Sequence, residues 1–472
     1  MATQLPLELL IQIANILRVD EAPLAPCASL CYSWRMAFEP LIYYKLVVYS
    51  DEDHKEEGQS GISLATFQEL TSGHGAPRRS WIRELEYNIL TPFELLDWKT
   101  RKQWPHLKKN DEEDYSTQNP IRKVNDVSFQ TAMASLFQTL SSWDQRGSLT
   151  LRLGLKGYRW GKTAAPEPNT WYEECARYYV PGHTDEYNML VPPYRARFYG
   201  VTSLPHVLCI GKLAFLNDSG RHHQIWTGAV QAIIEHCPNF TALMLDFKEW
   251  VRPDFVEYMK ERHEGIDSLA SNQFERSEHL SPGIFRVEST TIPLDFMWPL
   301  KEDGQPISDG GSWWWPYLET WEVYYVPPWL PSGQWIFLPD GEEQETIDYI
   351  YAIGGWDDEI YEKQSDAERA SVDVDQFHRL FISLGYAARR MPRLKRMEFV
   401  LASKFEWYYA FSLFFFNNPG TVTLTWHCDF SYGPDSRVAR AWDFCLDDVV
   451  IDSPREGTFS VALQAWPPSV PI

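Results

Sequence analysis

The stretch Phe377-His378-Arg379-Leu380-Phe381-Ile382-Ser383-Leu384-Gly385-Tyr386-Ala387-Ala388-Arg389-Arg390-Met391-Pro392-Arg393-Leu394-Lys395-Arg396-Met397-Glu398-Phe399 decides how the chain is built. Phe377, Leu380, Phe381, Leu384 and Ala388 recur at helical spacing, and Met391-Pro392 ends the pattern. A short strand pattern from Leu394 to Phe399 follows. The same order stands upstream: Val230, Ile233 and Ile234 on a helix, then Cys237-Pro238-Asn239, then Ala242-Leu243-Met244-Leu245. Looser copies lie further out. Phe129, Met133, Leu136, Phe137 and Leu140 precede Trp143 and the alternating strand Leu149-Thr150-Leu151-Arg152-Leu153, and Phe67 and Leu70 lead to Trp81-Ile82-Arg83-Glu84-Leu85-Glu86-Tyr87. Helix and strand alternate, so the body is α/β.

Two architectures share that alternation. One is an irregular, leucine-rich-repeat-like solenoid, in which each unit buries its apolar face on the next. The other is an ordinary α/β domain with right-handed crossovers. The repeated helix–Pro–polar–Leu–strand order favours the solenoid as the expectation. Three inserts interrupt it and read as surface loops: charged Thr100 to Asn119, Gly- and Asp-rich Lys301 to Ser312, and acidic Pro339 to Val374.

Composition narrows the functional classes. The chain has 472 residues, 44% hydrophobic and 23% charged, enough to bury a sizeable core. Its formal net charge of −22 repels nucleic acid, and Arg78-Arg79, Arg389-Arg390 and Lys395-Arg396 are too short to reverse that field. Seven scattered cysteines suit a reducing compartment. Met1 to Leu10 lacks a basic n-region and carries Glu8, and the apolar block from Tyr408 to Phe416 is too short to span a bilayer. A soluble chain of cytosol or nucleus, without membrane contact, is expected, so the sequons at Asn217 and Asn239 carry no meaning. With 21 Trp, 24 Tyr and 25 Phe, most rings must be core, and the surplus suits a binding surface.

The opening segment carries the functional reading. Leu5-Pro6 opens a helix to about Leu17, on which Leu7, Leu9, Leu10, Ile11, Ile13, Ala14, Ile16 and Leu17 are apolar. Glu8, Gln12 and Asn15 fall on one polar stripe roughly 60° wide. A helix apolar nearly all round needs two surfaces, and a module of about 45 residues does not supply both. A second helical region, Pro26 to Phe38, stopped by Pro40, offers one through Leu30, Trp34 and Phe38 at i, i+4 and i+8. The other surface belongs to the body or to another protein.

Leu5-Pro6-Leu7-Glu8-Leu9 with Ile13 and Leu17, followed by Leu30-Cys31-Tyr32-Ser33-Trp34, resembles the F-box. The body stretches Phe67 with Trp81 to Leu85, Leu136 to Leu151, and Met391 to Glu398 look like the long C-terminal region of filamentous-fungal F-box proteins. The resemblance implies an F-box-like helical module over 1–48 and an α/β repeat-like recognition body over 60–472, with acidic Ser50 to Gln59 between them. It implies docking on a Skp-family adaptor, and through it a cullin. Leu5, Pro6, Leu9, Ile13 and Leu17 would line that interface, with Leu30, Cys31 and Trp34 divided between module core and adaptor contact. Pro26 departs from the family, whose second helix is uninterrupted there, so that helix starts later or is reshaped.

Other groupings carry less. Cys27 and Cys31 stand one helical turn apart, but zinc wants four ligands and no second pair matches. His222-His223 reads as a loop. Glu173-Glu174, Glu342-Glu343 and Asp357-Asp358-Glu359 read as solvated charge, whereas a glycosidase needs two acids facing one bond. Nucleophile-elbow, His-Glu-x-x-His and phosphate-loop patterns are absent. Neither catalysis, a metal nor a cofactor is expected. Trp313, Trp314, Trp315 and Trp329 read either as target-binding anchors or as core at a strand and its turns. The sequence therefore points to a substrate-recognition adaptor of a cullin-RING ubiquitin ligase. Its rivals are an F-box-like scaffold without a ubiquitination role and an intracellular carbohydrate-acting enzyme.

Overall fold

The computed structural model describes residues 5–19, 23–51, 61–92, 120–157, 195–199, 204–216, 224–246, 283–288, 292, 297–298, 300–301, 303–306, 315, 317–326, 330, 336–338, 371–402, 409–418, 420–428, 432–453, 458–463 and 466. The chain divides into two compact units: Met1–Leu96 with Thr117–Gly182 and Pro193–Thr241, and Asp97–Ser116 with His183–Pro192 and Ala242–Ile472. Both are α/β. No helix among the described residues is long and apolar enough to cross a membrane.

The first unit opens with α1 (Leu7–Val19), α2 (Ala25–Ala28) and α3 (Tyr32–Ile42). The Pro6 carbonyl accepts from the Leu9 and Leu10 amides at 3.1 and 3.2 Å, so Leu5-Pro6 does open the first helix. The second helical region differs from expectation in two ways. It is broken at Ser29 to Cys31, where Cys31 takes extended backbone (φ −163°, ψ 174°) and caps α3. Pro40 does not stop α3 but sits in its last turn. Pro40 has no N–H to return to the carbonyl of Met36, and Met36 is an exposed residue.

The sheet of the first unit contains β1 (Lys45–Tyr49), β2 (Ile62–Ser63), β3 (Glu84–Thr91) and β4 (Leu149–Gly157). A two-residue strand β5 (Arg195–Ala196) precedes β6 (Ile210–Leu216), and β7 (Gln224–Ile225) pairs with β5 alone. Spatial order is β2-β1-β3-β4-β6, all parallel, so β1, β3, β4 and β6 stand side by side in chain order. The sheet thus begins at Lys45, within the 1–48 segment. Of the expected linker, Ser50 and Asp51 follow β1 and the remainder lies outside the described residues.

Helices α4 (Leu64–Thr71), α5 (Pro120–Ser141) and α6 (Thr227–Glu235) accompany these strands. Ser63 caps α4 by accepting from the Thr66 amide at 3.1 Å. The apolar spacing read on α5 is its inward face: Phe129, Met133, Leu136, Phe137 and Leu140 are fully buried. Leu85, Tyr87, Leu151 and Leu153 of β3 and β4 are buried too, and Tyr87 donates its hydroxyl to the Ala132 carbonyl at 3.1 Å. Cys209 and Cys237 are buried here as free thiols; burial pushes Cys209 up to about 12 and raises Cys237 as well, which disfavours the thiolate form of both.

In the second unit, β8 (Ala242–Asp246), β9 (Ile284–Glu288) and β10 (Thr320–Val326) precede a small hairpin of β11 (Phe337–Leu338) and β12 (Ser371–Val372). α7 (Val374–Ala388) and β13 (Arg396–Ala402) form the stretch that opened the sequence reading. β8, β9, β10 and β13 are parallel neighbours in chain order. From there the sheet turns antiparallel through β14 (Tyr409–Asn418), β15 (Thr421–Cys428), β17 (Thr458–Leu463) and the edge strand β16 (Val450–Ser453). A repeating helix–strand unit does not produce this meander. Asn418 pairs with Thr421, and a two-residue link carrying Gly420 at φ +86° returns the chain at once, leaving no room for a crossover helix.

α7 packs on one face of this sheet together with α8 (Ser436–Trp442). Phe377 and Phe381 each meet Phe411 edge-on at 4.8 Å, and Trp442 donates its indole N–H to the Phe381 carbonyl at 3.0 Å. Gly385 allows the two helices to touch, since a Cβ there would lie 2.8 Å from the Trp442 ring.

Candidate functional site

The site builds upward from α1. On this helix Leu10 and Ala14 are buried, and Ile13 and Leu17 are half-buried against them, an i, i+3, i+4, i+7 stripe. That stripe meets Ala37 and Phe38 of α3, with Leu24, Cys27, Ala28, Trp34, Leu41 and Ile42 around it. Trp34 stacks on Phe38 with ring centroids 5.0 Å apart. The module therefore has a core of its own.

That core uses only part of the apolar circumference. Leu7, Leu9, Ile11 and Ile16 stay between 41% and 61% exposed. At 100° per residue, Leu9 and Ile16 share one flank of the buried stripe and Leu7 and Ile11 the other. Glu8, Gln12 and Asn15 close the circle on the exposed polar side. Leu30, at 66%, Tyr32, at 74%, and Met36 add further exposed apolar surface from the α2–α3 junction and α3. Of the twenty large exposed hydrophobics among the described residues, nine fall in this short opening segment. Single exposed apolar residues are ordinary, whereas a concentration of this kind is uncommon on a monomer.

The remaining contacts fix the module at the start of β1. Arg78 pairs with Glu39 at 3.4 Å and lies over Tyr43 at 5.1 Å, Tyr43 stacks with Trp81, and Arg18 lies 4.7 Å over Tyr44. The Arg83 amide donates to the Tyr44 carbonyl at 2.9 Å. None of these contacts draws on the exposed apolar flanks.

The chain matches no protein-family model, no curated protein and no solved structure in comparison with known proteins.

The candidate residues divide clearly. Leu5, Pro6, Leu9, Leu30 and Cys31 are exposed, whereas Ile13, Leu17 and Trp34 are half-buried and pack inward. Leu30 does not join Trp34 and Phe38 on one helical face, because α3 begins only at Tyr32. Leu7, Ile11, Ile16, Tyr32 and Met36 belong to the exposed set as well, although the resemblance does not place them at the adaptor interface. A helical wheel centred on Leu10 and Ala14, rather than on the family pattern, would have found the first three.

Cys27 is half-buried beside the module core and Cys31 is exposed; both are free thiols. Trp315 is buried edge-on to Phe285, with centroids 6.1 Å apart, which makes it a core ring. Trp313, Trp314 and Trp329 lie outside the described residues, as do His222-His223, Glu173-Glu174, Glu342-Glu343 and Asp357-Asp358-Glu359.

Proposed function

We propose that this chain is a substrate receptor of a cullin-RING ubiquitin ligase, with an F-box-like module that docks on a Skp-family adaptor and a body that holds the target. One observation carries the reading: α1 is packed from one side only, and its apolar flanks remain open where an F-box would meet its adaptor. Covering what remains exposed is favourable, at roughly half of the 1.5–3 kcal/mol that fully burying a Leu or Ile gives. The body reads as leucine-rich-repeat-like over its parallel part, which the chain-ordered strands β1, β3, β4 and β6, and likewise β8, β9, β10 and β13, support. The mechanism is then geometric. The module fixes one end, the body fixes the target, and the target's lysines gain effective concentration near the ubiquitin-charged enzyme. No residue of this chain performs acid–base work.

Co-expression with a Skp-type adaptor tests the proposal. The parent chain is expected to co-purify with the adaptor, and a Leu9→Asp/Ile16→Asp variant to remain folded without doing so. A folded parent that emerges alone overturns the reading.

A further inference from the structure

The second unit's sheet ends at β16, whose outer side pairs with no strand among the described residues. The chain is described without a break from Tyr432 through α8 to Ser453, so its path into this edge contains no gap. Val450 and Ile451 are neighbours in an extended strand and therefore point to opposite faces of the sheet. Each is 56% exposed. The strand is thus more than half uncovered on both faces as well as open along its edge.

One row of side chains shows what the edge lacks. Leu413, Trp426, Phe459 and Ile451 stand opposite one another across β14, β15, β17 and β16. Trp426 and Phe459 stack with ring centroids 5.8 Å apart. Exposure climbs along the row: Leu413 and Trp426 are buried, Phe459 is half-buried and Ile451 is open. Cross-strand pairs are what stabilise such a face, so an apolar row that runs off the end of a sheet is completed by one more strand.

Natural sheets guard their edges with lysine, proline, bulges or a covering element, which block pairing with another chain. β16 carries neither lysine nor proline, and its register against β17 shifts only beyond Ile451. The charge around it is of one sign. Asp447 and Asp448 are exposed in the turn that leads into the strand, and Asp452 follows Ile451. Among the described residues no cation pairs with Asp447 or Asp448. The approach to the open edge is therefore acidic and not neutralised there.

We infer that β16 takes up an extended basic segment of a partner protein as a further strand. The segment's backbone pairs along the edge, an apolar side chain stands opposite Ile451, and lysine or arginine lies beside Asp447 and Asp448. A second copy of this chain is a poor occupant, since it brings the same acids and a net charge of −22 to the edge. As the place where a target is held, the edge rests on the receptor reading; as a strand-accepting surface it stands on its own geometry.

The test uses the full chain and three fluorescein-labelled peptides. The first alternates Lys with Val, the second carries Glu in place of each Lys, and the third is the Lys peptide N-methylated throughout, which keeps the charge and removes the strand's donors. The Lys peptide is expected to bind, about tenfold more weakly at high salt, and the other two at least about tenfold more weakly than the first. Asp447→Lys/Asp448→Lys should weaken the Lys peptide several-fold and Asp447→Glu/Asp448→Glu should hold it, a divergence that a purely structural effect would not give. Ile451→Lys should weaken it as well. Absence of binding, equal binding of the N-methylated peptide, or the same shift for both Asp447/Asp448 variants overturns the inference. So does sedimentation of the parent as a dimer that Ile451→Lys abolishes, which would make a second copy the occupant. Leu9→Asp/Ile16→Asp should bind the Lys peptide normally, and Asp447→Lys/Asp448→Lys should bind the adaptor normally, so each reading fails without the other.

Discussion

Helices α1 and α7 are both rich in large aliphatic residues, and their fates differ. α7 buries eleven of its fifteen residues, from Phe377 to Ala388. α1 buries two of thirteen, Leu10 and Ala14, although it is no less apolar. The difference lies in what each helix meets. α7 has a sheet on one side and α8 against its Gly385, whereas among the described residues α1 is met on its Leu10–Ala14 stripe by α3 and by Leu24, Cys27 and Ala28. On the proposed reading, the flanks that α1 leaves open are the surface the adaptor covers.

Several measurements would break or sharpen that contrast. The largest effect is expected at Phe377, fully buried among Phe381, Phe411 and Tyr432. Phe377→Ala should cost about 3–5 kcal/mol of unfolding free energy in a denaturant titration. Phe38→Ala should cost about as much in the first unit, because the module core is real even though its rim is open. Near-neutral behaviour at Phe38 would mean that α1 and α3 do not pack as described.

Next comes the α7–α8 contact. Gly385→Ala places a methyl within 3 Å of Trp442, so overpacking should cost about 1–3 kcal/mol. Asp435, which caps α8 by accepting from the Arg437 and Val438 amides, should cost about 1 kcal/mol as Asp435→Ala. Its pH dependence has a definite sign. Burial alone would raise the Asp435 carboxyl, but the Val438 amide, Arg437 and the neighbouring His378 outweigh it and hold it below the usual range. A carboxyl lowered in the folded state stabilises above its unfolded pKa of about 3.9 and loses that contribution as pH falls through the folded value. The gap between parent and Asp435→Ala should therefore be full at neutral pH and close in strong acid.

The smallest effect on stability is expected on the open flanks. Leu9→Asp and Ile16→Asp should each change unfolding free energy by no more than about 0.5 kcal/mol, as ordinary exposed positions do. A loss of several kcal/mol would show that these residues are sealed in solution and would erase the contrast with α7.

Much of the fold was legible. The spacing of Phe377, Leu380, Phe381 and Leu384, and of Phe129, Met133 and Leu136, needs only the helical period, and those faces are where the core lies. The strands after Trp143 and after Pro392 follow their helices as read. The C-terminal meander was not legible, because a short apolar run such as Tyr408 to Phe416 does not state which neighbour it pairs with or in which direction. Within the module, periodicity identified an under-packed helix but not which arc faced inward. The residues named by resemblance mixed inward Ile13 and Leu17 with outward Leu9. The Leu413–Trp426–Phe459–Ile451 row could not be read at all, since strand register alone brings these residues together.

The most direct test of the open-face account is calorimetric titration of a purified Skp-type adaptor into the parent chain and into Leu9→Asp/Ile16→Asp at several temperatures. The account predicts one-to-one binding by the parent with a clearly negative heat-capacity change, the mark of apolar burial, and no binding by the variant. A folded parent that gives no binding heat at any temperature, or a variant that binds as the parent does, would contradict it.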